Sequence, residues 1–531
     1  MARFNTVTKT GVTSPVKTVG KITNASGKPA FIRDAKSELF LLAVSNFVGQ
    51  DTFYESAKNR DDRFSLLCQK VAVEDELWFM NFVKWLRNDA FMRSAAIVAA
   101  AEGSKALLDA RQTTGVTMGP RKLVSLSMAR ADEPGEFLAY WTSKYGKNLP
   151  QAIKKGVADA ANRLYNEYSL LKYDTESKGY RFADVIQLSH VTPMGVAQAD
   201  LFKYALDRRY GVDGDTTELS MLKVRSKLMS MPVEARKVLV QGSNASNVLK
   251  DAGMTWEALA GWLQGPMDAV AWEAVIPNMG YMALLRNLRN FQDAGISAKT
   301  MKTVLNKLAD PAEVAKSKQF PFRFLAAYQA NKGNLKISAA LEDALTGSLA
   351  NVPALKGKTL ILVDRSGSMF DSNGGTQGLT RADTAALFGI ALALRAENAD
   401  LVQFGSSWYG QQNAYETVKF RKGDSIMPLL SKFKDMGGTD TALAVRENFK
   451  DHDRIVIITD EQYNGYGANP LASVPVKTPV YTWNLGGYRA AQSESGQSKR
   501  HTFGGLTDKG FQMIPLIEAG QHQNWPWQVA K

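Results

Sequence analysis

The sequence of 531 residues holds a single cysteine, four histidines and no long apolar run. Cys68 cannot form an internal bridge, so neither a disulfide framework nor an oxidising compartment is indicated. It lies in the apolar run RFSLLCQKVAV and reads as a small buried hydrophobe. His190, His452, His501 and His522 show no zinc-binding spacing and no Ser–His pattern. The glycine-containing stretches GYGANP and LGGYR lack a phosphate-loop lysine and dinucleotide-binding spacing. No catalytic residue is therefore assigned. A membrane span needs about eighteen consecutive apolar residues, and none is present, so no membrane partner is expected. The opening residues MARFNTVTKTGVTSPVKTVGK contain no apolar core of a secretory signal, and a cytoplasmic protein is expected.

What is present is ample apolar material, 45% of residues, with 22% charged. Such a chain needs no disulfide or metal to fold, and its length suggests roughly three domains, or fewer if one is a repeat array. Net charge is +13 and unevenly spread. Residues 1–355 contain 46 Lys+Arg against 35 Asp+Glu, a net of +11, whereas residues 356–531 contain 19 against 17, a net of +2. A basic first two thirds fits a polyanionic partner, most simply nucleic acid.

Residues 1–30 are rich in Thr, Ser, Gly and Lys without apolar period, and an extended or mobile arm is expected there. From Asp34 onward, segments such as KSELFLLAVSNF, EDELWFMNFVKWLRN, QAIKKGVADAANRLYNEYSLLKY and MALLRNLRNFQDAG place apolar residues at three- and four-residue spacings. GVTMGP, ADEPGE, KYGKNLP, GVDGD and SMP punctuate them. Strand-like runs are nearly absent, and the pattern predicts many short antiparallel helices, as in an α-solenoid, with no repeat consensus visible. Near residue 356 the texture changes. KTLILVD, ADLVQFGS, RIVIITD and TPVYTWNL read as buried strands alternating with helical segments, which predicts a parallel sheet covered on both faces.

In such a fold ligands sit at the carboxyl ends of the strands. Asp364 ends the first of these strands, in ILVDRSGSMF, followed by Ser366 and Ser368; Asp460 ends RIVIITD; Thr439 lies in the glycine-rich loop MGGTDTAL. Two carboxylates and three hydroxyls form an all-oxygen set suited to a hard divalent cation, Mg²⁺ or Mn²⁺, with room for an outside carboxylate or phosphate. Ordinary helix caps are the plain structural alternative. Asp440 reads as a cap, and DHD at 451–453 as a solvated turn before a strand. The pattern resembles the metal-ion-dependent adhesion site of von Willebrand factor A domains, with Asp364, Ser366, Ser368, Thr439 and Asp460 at the matching positions.

The helical part holds three further elements. In GYMALLRNLRNF, Arg286 and Arg289 are three apart and share one side of a helix, where they suit either phosphate or a structural ion pair. ADVIQLSHVTP places His190 at a helix end before a proline, and SKQFPFRFLAAYQAN follows later. LSHVTP, ALLRNL and PFRFLAAY, in that order and followed by an A-type domain, resemble the TROVE domain of the Ro autoantigen family, which includes bacterial Ro-sixty-related proteins. The stretch ASGKPAFIRDAKSELFLLAVSNF is similar to the family's start.

The resemblance implies an α-helical, HEAT-like repeat ring over residues 1–355, with residues 1–30 as an arm. An α/β von Willebrand factor A (Rossmann-like) domain would follow over 356–531. It implies an RNA-binding scaffold rather than an enzyme, one that binds small noncoding Y-like RNA and single-stranded 3′ ends of misfolded RNA for quality control or decay. An RNA-tethered 3′-to-5′ exoribonuclease, polynucleotide phosphorylase, is implied as a partner, and a monomer is expected. Family RNA contacts carry over to His190 and to the upstream basic residues Lys172, Lys178 and Arg181. The residues themselves agree in kind, since Lys and Arg beside Tyr173 and Tyr180 suit phosphate contact with stacking. A metal-dependent protein-adhesion scaffold is the alternative function, and a metal-dependent phosphoesterase the third.

Overall fold

The computed structural model describes residues 12–45, 50–114, 119–216, 218–370, 380–406, 413–465 and 469–528. The chain divides into two compact units. One comprises Met1–Leu67, Phe320–Phe322 and Ser348–Lys531; the other comprises Cys68–Gln319 and Arg323–Gly347. The chain passes from one unit to the other at Gly347/Ser348, ahead of the expected 355/356, and the first 67 residues group with the α/β unit and not with the helices.

The second unit is built from short helices. In Glu76–Asn88, Asp75 caps the start by accepting from Trp78 N at 3.0 Å. Trp78, Phe79, Phe82, Val83 and Leu86 then fall on one buried face, the period the sequence announces. Gln151–Leu164 packs on Pro120–Leu126 so closely that a Cβ on Gly156 would stand 2.6 Å from the Arg121 carbonyl oxygen. Glu133–Tyr145 stops at Gly146, whose φ of +83° needs glycine. Part of the expected breaker GVTMGP, residues 115–118, lies outside the described residues.

In the α/β unit, β3 (Lys358–Asp364), β4 (Asn398–Phe404), β5 (Tyr415–Thr417), β6 (Arg454–Thr459), β7 (Val480–Asn484) and β9 (Arg500–Gly504) form a six-stranded sheet. The order is β5-β4-β3-β6-β7-β9, parallel except for β5 at one edge. Leu360, Leu362, Val402, Phe404, Ile455 and Ile457 pack with Ala444 and Val445 of the helix Thr441–Asn448. On the other side, Gly389 of the helix Arg381–Arg395 lies against Val363, Leu401 and Ile458. Sequence order runs outward from β3 in both directions, so the topology switches between β3 and β6. The crevice at their carboxyl ends is where Asp364 and Asp460 stand.

The N-terminal arm is the main departure from expectation. Its residues are extended, but from β1 (Thr18–Thr23) to β2 (Pro29–Arg33) they form a hairpin that pairs with β8 (Ala490–Ala491). Asn24 Oδ1 accepts from Ser26 N at 3.0 Å and Lys28 N at 2.9 Å, which builds the turn. Composition gave no sign of this because one face of β1 is solvated and β8 is only two residues long. Residues 1–11 of the expected arm lie outside the described residues. The turn at 451–453 also departs from expectation. Asp451 and Asp453 are exposed, but His452 is buried with Nε2 2.9 Å from Asp400 Oδ2.

Candidate metal and nucleic-acid sites

The structure brings the five predicted oxygen donors to the β3/β6 crevice, on three loops tied to one another. Asp364, Ser366, Ser368, Thr439 and Asp460 are each 3% exposed or less. Asp364 Oδ1 accepts from Ser366 N at 2.9 Å, and Oδ2 accepts from Thr459 Oγ1 at 2.6 Å. The Ser366 and Ser368 hydroxyls lie 3.3 Å apart. Gly367 N donates to Gly437 O at 2.6 Å, which joins the serine loop to the threonine loop. Thr439 N donates to Asn464 Oδ1 at 2.9 Å, which joins that loop to the one after β6. Asp440 caps the helix Thr441–Asn448 by accepting from Leu443 N at 3.0 Å, as its position predicts.

The electrostatics ask for positive charge. Asp460 Oδ1 accepts from Gln462 N at 3.0 Å, but Oδ2 is buried without a hydrogen-bond partner. Burial, then the charge of Asp460, pushes Asp364 up to about 7, and burial also raises Asp460. Two neighbouring buried carboxyls with an orphaned oxygen need protons or a cation. The surrounding hydroxyls make the set a fit for a hard ion. Thr459 was not legible as a participant, because its role depends on cross-strand proximity to Asp364.

The predicted RNA contacts fall in different settings. His190 is exposed in the left-handed conformation (φ 50°) at the end of the helix Phe182–Ser189. It lines a cavity of about 490 Å³ with Lys147, Lys154, Tyr180 and Arg209. The Tyr180 hydroxyl is fixed 2.7 Å from Thr142 Oγ1, and Arg209 is paired with Asp184 at 3.2 Å. Lys172 is exposed, its ammonium 5.3 Å from the Tyr173 ring and 5.6 Å from the Tyr168 ring. Lys178 reaches Asp132 at 3.5 Å and Glu136 at 3.6 Å. Arg181 is held by Asp174 at 2.7 Å with its side chain 10% exposed, so its charge is largely committed inside the fold.

Arg286 and Arg289 are exposed on the helix Tyr281–Asp293 and do not line the His190 cavity. Arg289 makes a long contact of 3.8 Å to Asp293 and lines a separate 620 Å³ depression with Asn331, Lys332 and Lys336. Lys147, Lys154 and Arg209 were missed, since Lys147 lies in the loop after Glu133–Tyr145, Lys154 on Gln151–Leu164 and Arg209 at the end of Val196–Arg209, and no short motif joins them.

Fold and sites together define a helix-rich protein with a mostly parallel α/β unit that carries an acid-and-hydroxyl site at its strand switch. The TROVE domain matches residues 252–339. The chain is 25% identical over 308 residues to "RNA-binding protein RO60" of Deinococcus radiodurans, covering 54% of each protein. It is 44% identical over 104 residues to "Telomerase protein component 1" of Mus musculus, 19% of this chain and 4% of that protein. The match thus spans about half the length of the first relative and a small part of the second. The crystal structure of the Deinococcus radiodurans RO (RSR) protein shares the fold, with a TM-score of 0.60 and 19% identity over 92% of this chain and all of that one. The chain thus carries a TROVE-domain match over residues 252–339 and is similar to the Ro protein in sequence over about half its length and in fold over most of it.

Proposed function

We propose that this protein is the RNA-binding scaffold of a Ro-type ribonucleoprotein. The observation that carries the reading is the cavity at His190, where Lys147, Lys154 and Arg209 surround an exposed imidazole and the fixed ring of Tyr180. Cations beside an aromatic face suit phosphate contact with base stacking. Lys172 over Tyr173 extends the same chemistry along the preceding helix. The name of the Deinococcus relative agrees in substrate class. The RNA would be a small structured Y-like RNA, together with single-stranded 3′ ends of misfolded RNA. An exoribonuclease such as polynucleotide phosphorylase would be recruited through that RNA for quality control or decay. A cytoplasmic location fits these partners.

The test is a titration at several salt concentrations, using a hairpin with a single-stranded 3′ tail and the same hairpin with a blunt end. Lys147→Glu with Lys154→Glu is expected to weaken binding and to flatten the log-affinity against log-salt slope by about two. Lys419→Glu with Lys434→Glu, on the α/β unit, serves as the control. Equal losses from both pairs would reject the His190 cavity as the site.

The α/β unit, in this reading, is of the von Willebrand factor A type and binds Mg²⁺ or Mn²⁺ through Asp364, Ser366, Ser368, Thr439 and Asp460. The orphaned Asp460 Oδ2 supports this assignment. Bound there, the ion would neutralise the paired carboxylates and fix the three loops.

A further inference from the structure

The loop after β6 carries Asp460 and is gripped from two sides. On one side is the threonine loop, where Thr439 N donates to Asn464 Oδ1 at 2.9 Å and Asn464 N donates to Thr439 O at 3.1 Å. On the other side is the N-terminal hairpin. Asn24 Nδ2, from the turn between β1 and β2, donates to Tyr463 O at 2.6 Å. Arg33, the last residue of β2, pairs with Glu461, and both side chains are fully buried. Arg33 also donates to Tyr488 O at 3.1 Å.

Glu461 follows Asp460 directly. Its left-handed backbone, φ +65°, is one that a non-glycine residue keeps only where its surroundings hold it. Glu461 Oε2 accepts from Arg33 Nη2 and from Asn484 Nδ2, the latter at 2.5 Å. Glu461 N donates to Thr459 Oγ1 at 3.0 Å, and that hydroxyl donates to Asp364 Oδ2 at 2.6 Å. A series of bonds thus runs from Arg33 through Glu461 and Thr459 to one predicted ligand, with a second, Asp460, between two of its members. Elsewhere the hairpin is held by less. β2 meets β8 at two residue pairs, Thr18 exchanges hydrogen bonds with Ser495, and four of the six β1 residues are exposed.

We propose that the β1–β2 hairpin is a latch on the cation site, with Arg33 a positioning residue that sets the Asp460 loop through Glu461. Docking of the hairpin and binding of the divalent cation then favour each other. The inference rests on the cation reading above. Charge agrees with it. Arg33 neutralises Glu461 inside the fold, which leaves Asp364 and Asp460 to balance a divalent ion. Without Arg33 a third buried carboxylate stands unpaired beside them, and the loop must move to hydrate it. The loop after β7 has anchors of its own, Arg60 to Gly486 O at 2.9 Å and Arg63 to Gly487 O at 3.0 Å. Loss of Arg33 therefore loosens the Asp460 loop without freeing that end of the sheet. Coupling of this kind is reciprocal: the latch tightens the ion by the same factor as the ion tightens the latch.

The experiment uses the full chain and Mn²⁺ alone. Amide hydrogen exchange over residues 18–33 is followed in chelator and in saturating Mn²⁺, and Mn²⁺ affinity is measured by calorimetry. In wild type, Mn²⁺ should slow exchange in the hairpin about tenfold. Arg33→Met should weaken Mn²⁺ binding by a similar factor and abolish the slowing. Arg33→Lys, which keeps the charge but not the fork of donors, should recover part of both. Wild type that binds Mn²⁺ with unchanged hairpin exchange would overturn the latch and leave the cation reading intact, a result that needs no variant to fold. Arg33→Met that binds Mn²⁺ as tightly as wild type would likewise overturn the positioning role. Absence of Mn²⁺ binding in wild type would overturn both the latch and the cation reading.

Discussion

Asp364 is held against its own ionisation. Its proton affinity is raised in the folded state, so ionisation opposes folding, more so as pH rises from about 4 towards 7. Asp364→Asn keeps an acceptor for Ser366 N and removes the repulsion with Asp460. In chelator at pH 8 the variant is expected to be more stable than wild type by about 2 kcal/mol in urea denaturation. In Mn²⁺ the order should reverse, because calorimetry should find no binding to the variant. RNA affinity should be unchanged. This side chain was legible because Asp364, Ser366 and Ser368 sit within five residues of a strand end, and Asp460 ends a second strand. Thr459 was not legible, because its hydroxyl reaches Asp364 only through the register of two neighbouring strands.

At the scale of helices, two features give measurable outcomes. Gly156 lets Gln151–Leu164 approach Pro120–Leu126, and alanine there would press on a backbone carbonyl. Gly156→Ala should destabilise the helical unit by about 1–3 kcal/mol although alanine favours a helix, a loss that urea unfolding would read. Asp132 anchors a junction of helices through Arg130 at its carboxylate, with Arg93 and Lys178 nearby. Burial raises its pKa, but these cations outweigh burial and hold it at about 2. A depressed carboxylate contributes stability above its unfolded pKa and loses it as pH falls. The unit should therefore weaken by about 2 kcal/mol between pH 4 and pH 2, and Asp132→Asn should flatten that limb of the stability profile. The helices themselves were readable because a 3.6-residue period is repeated over many turns. The hairpin β1–β2 was not, because six residues with exposure on both sides carry little periodic signal.

For the molecule as a whole, regrouping residues 1–67 changes the charge argument. Counted by compact unit, the helical unit carries 36 Lys+Arg and 29 Asp+Glu, a net of +7, and the α/β unit 29 and 23, a net of +6. Overall charge therefore does not select the RNA-binding unit, and the proposed RNA site rests on the local cluster at His190. His190→Ala should lower RNA affinity about three- to tenfold, because it removes a ring on which a base can stack. Gel shifts at two salt concentrations would show this.

The strand β2 pairs with β8 across more than 450 residues of chain, Phe31 with Ala491 and Ile32 with Ala490. This has a consequence during synthesis. At about 5–20 residues per second, the N-terminal hairpin leaves the ribosome on the order of 20–90 s before its partners exist. Throughout that interval β2 is an open edge, and Lys28 beside it is the kind of charge that discourages wrong pairing. The helical unit, whose contacts are closer in sequence, is able to fold in the meantime. In a nascent chain halted near residue 350, a protease should cut within residues 12–67 and spare the helices beyond them, and extension to the full chain should bring protection to both.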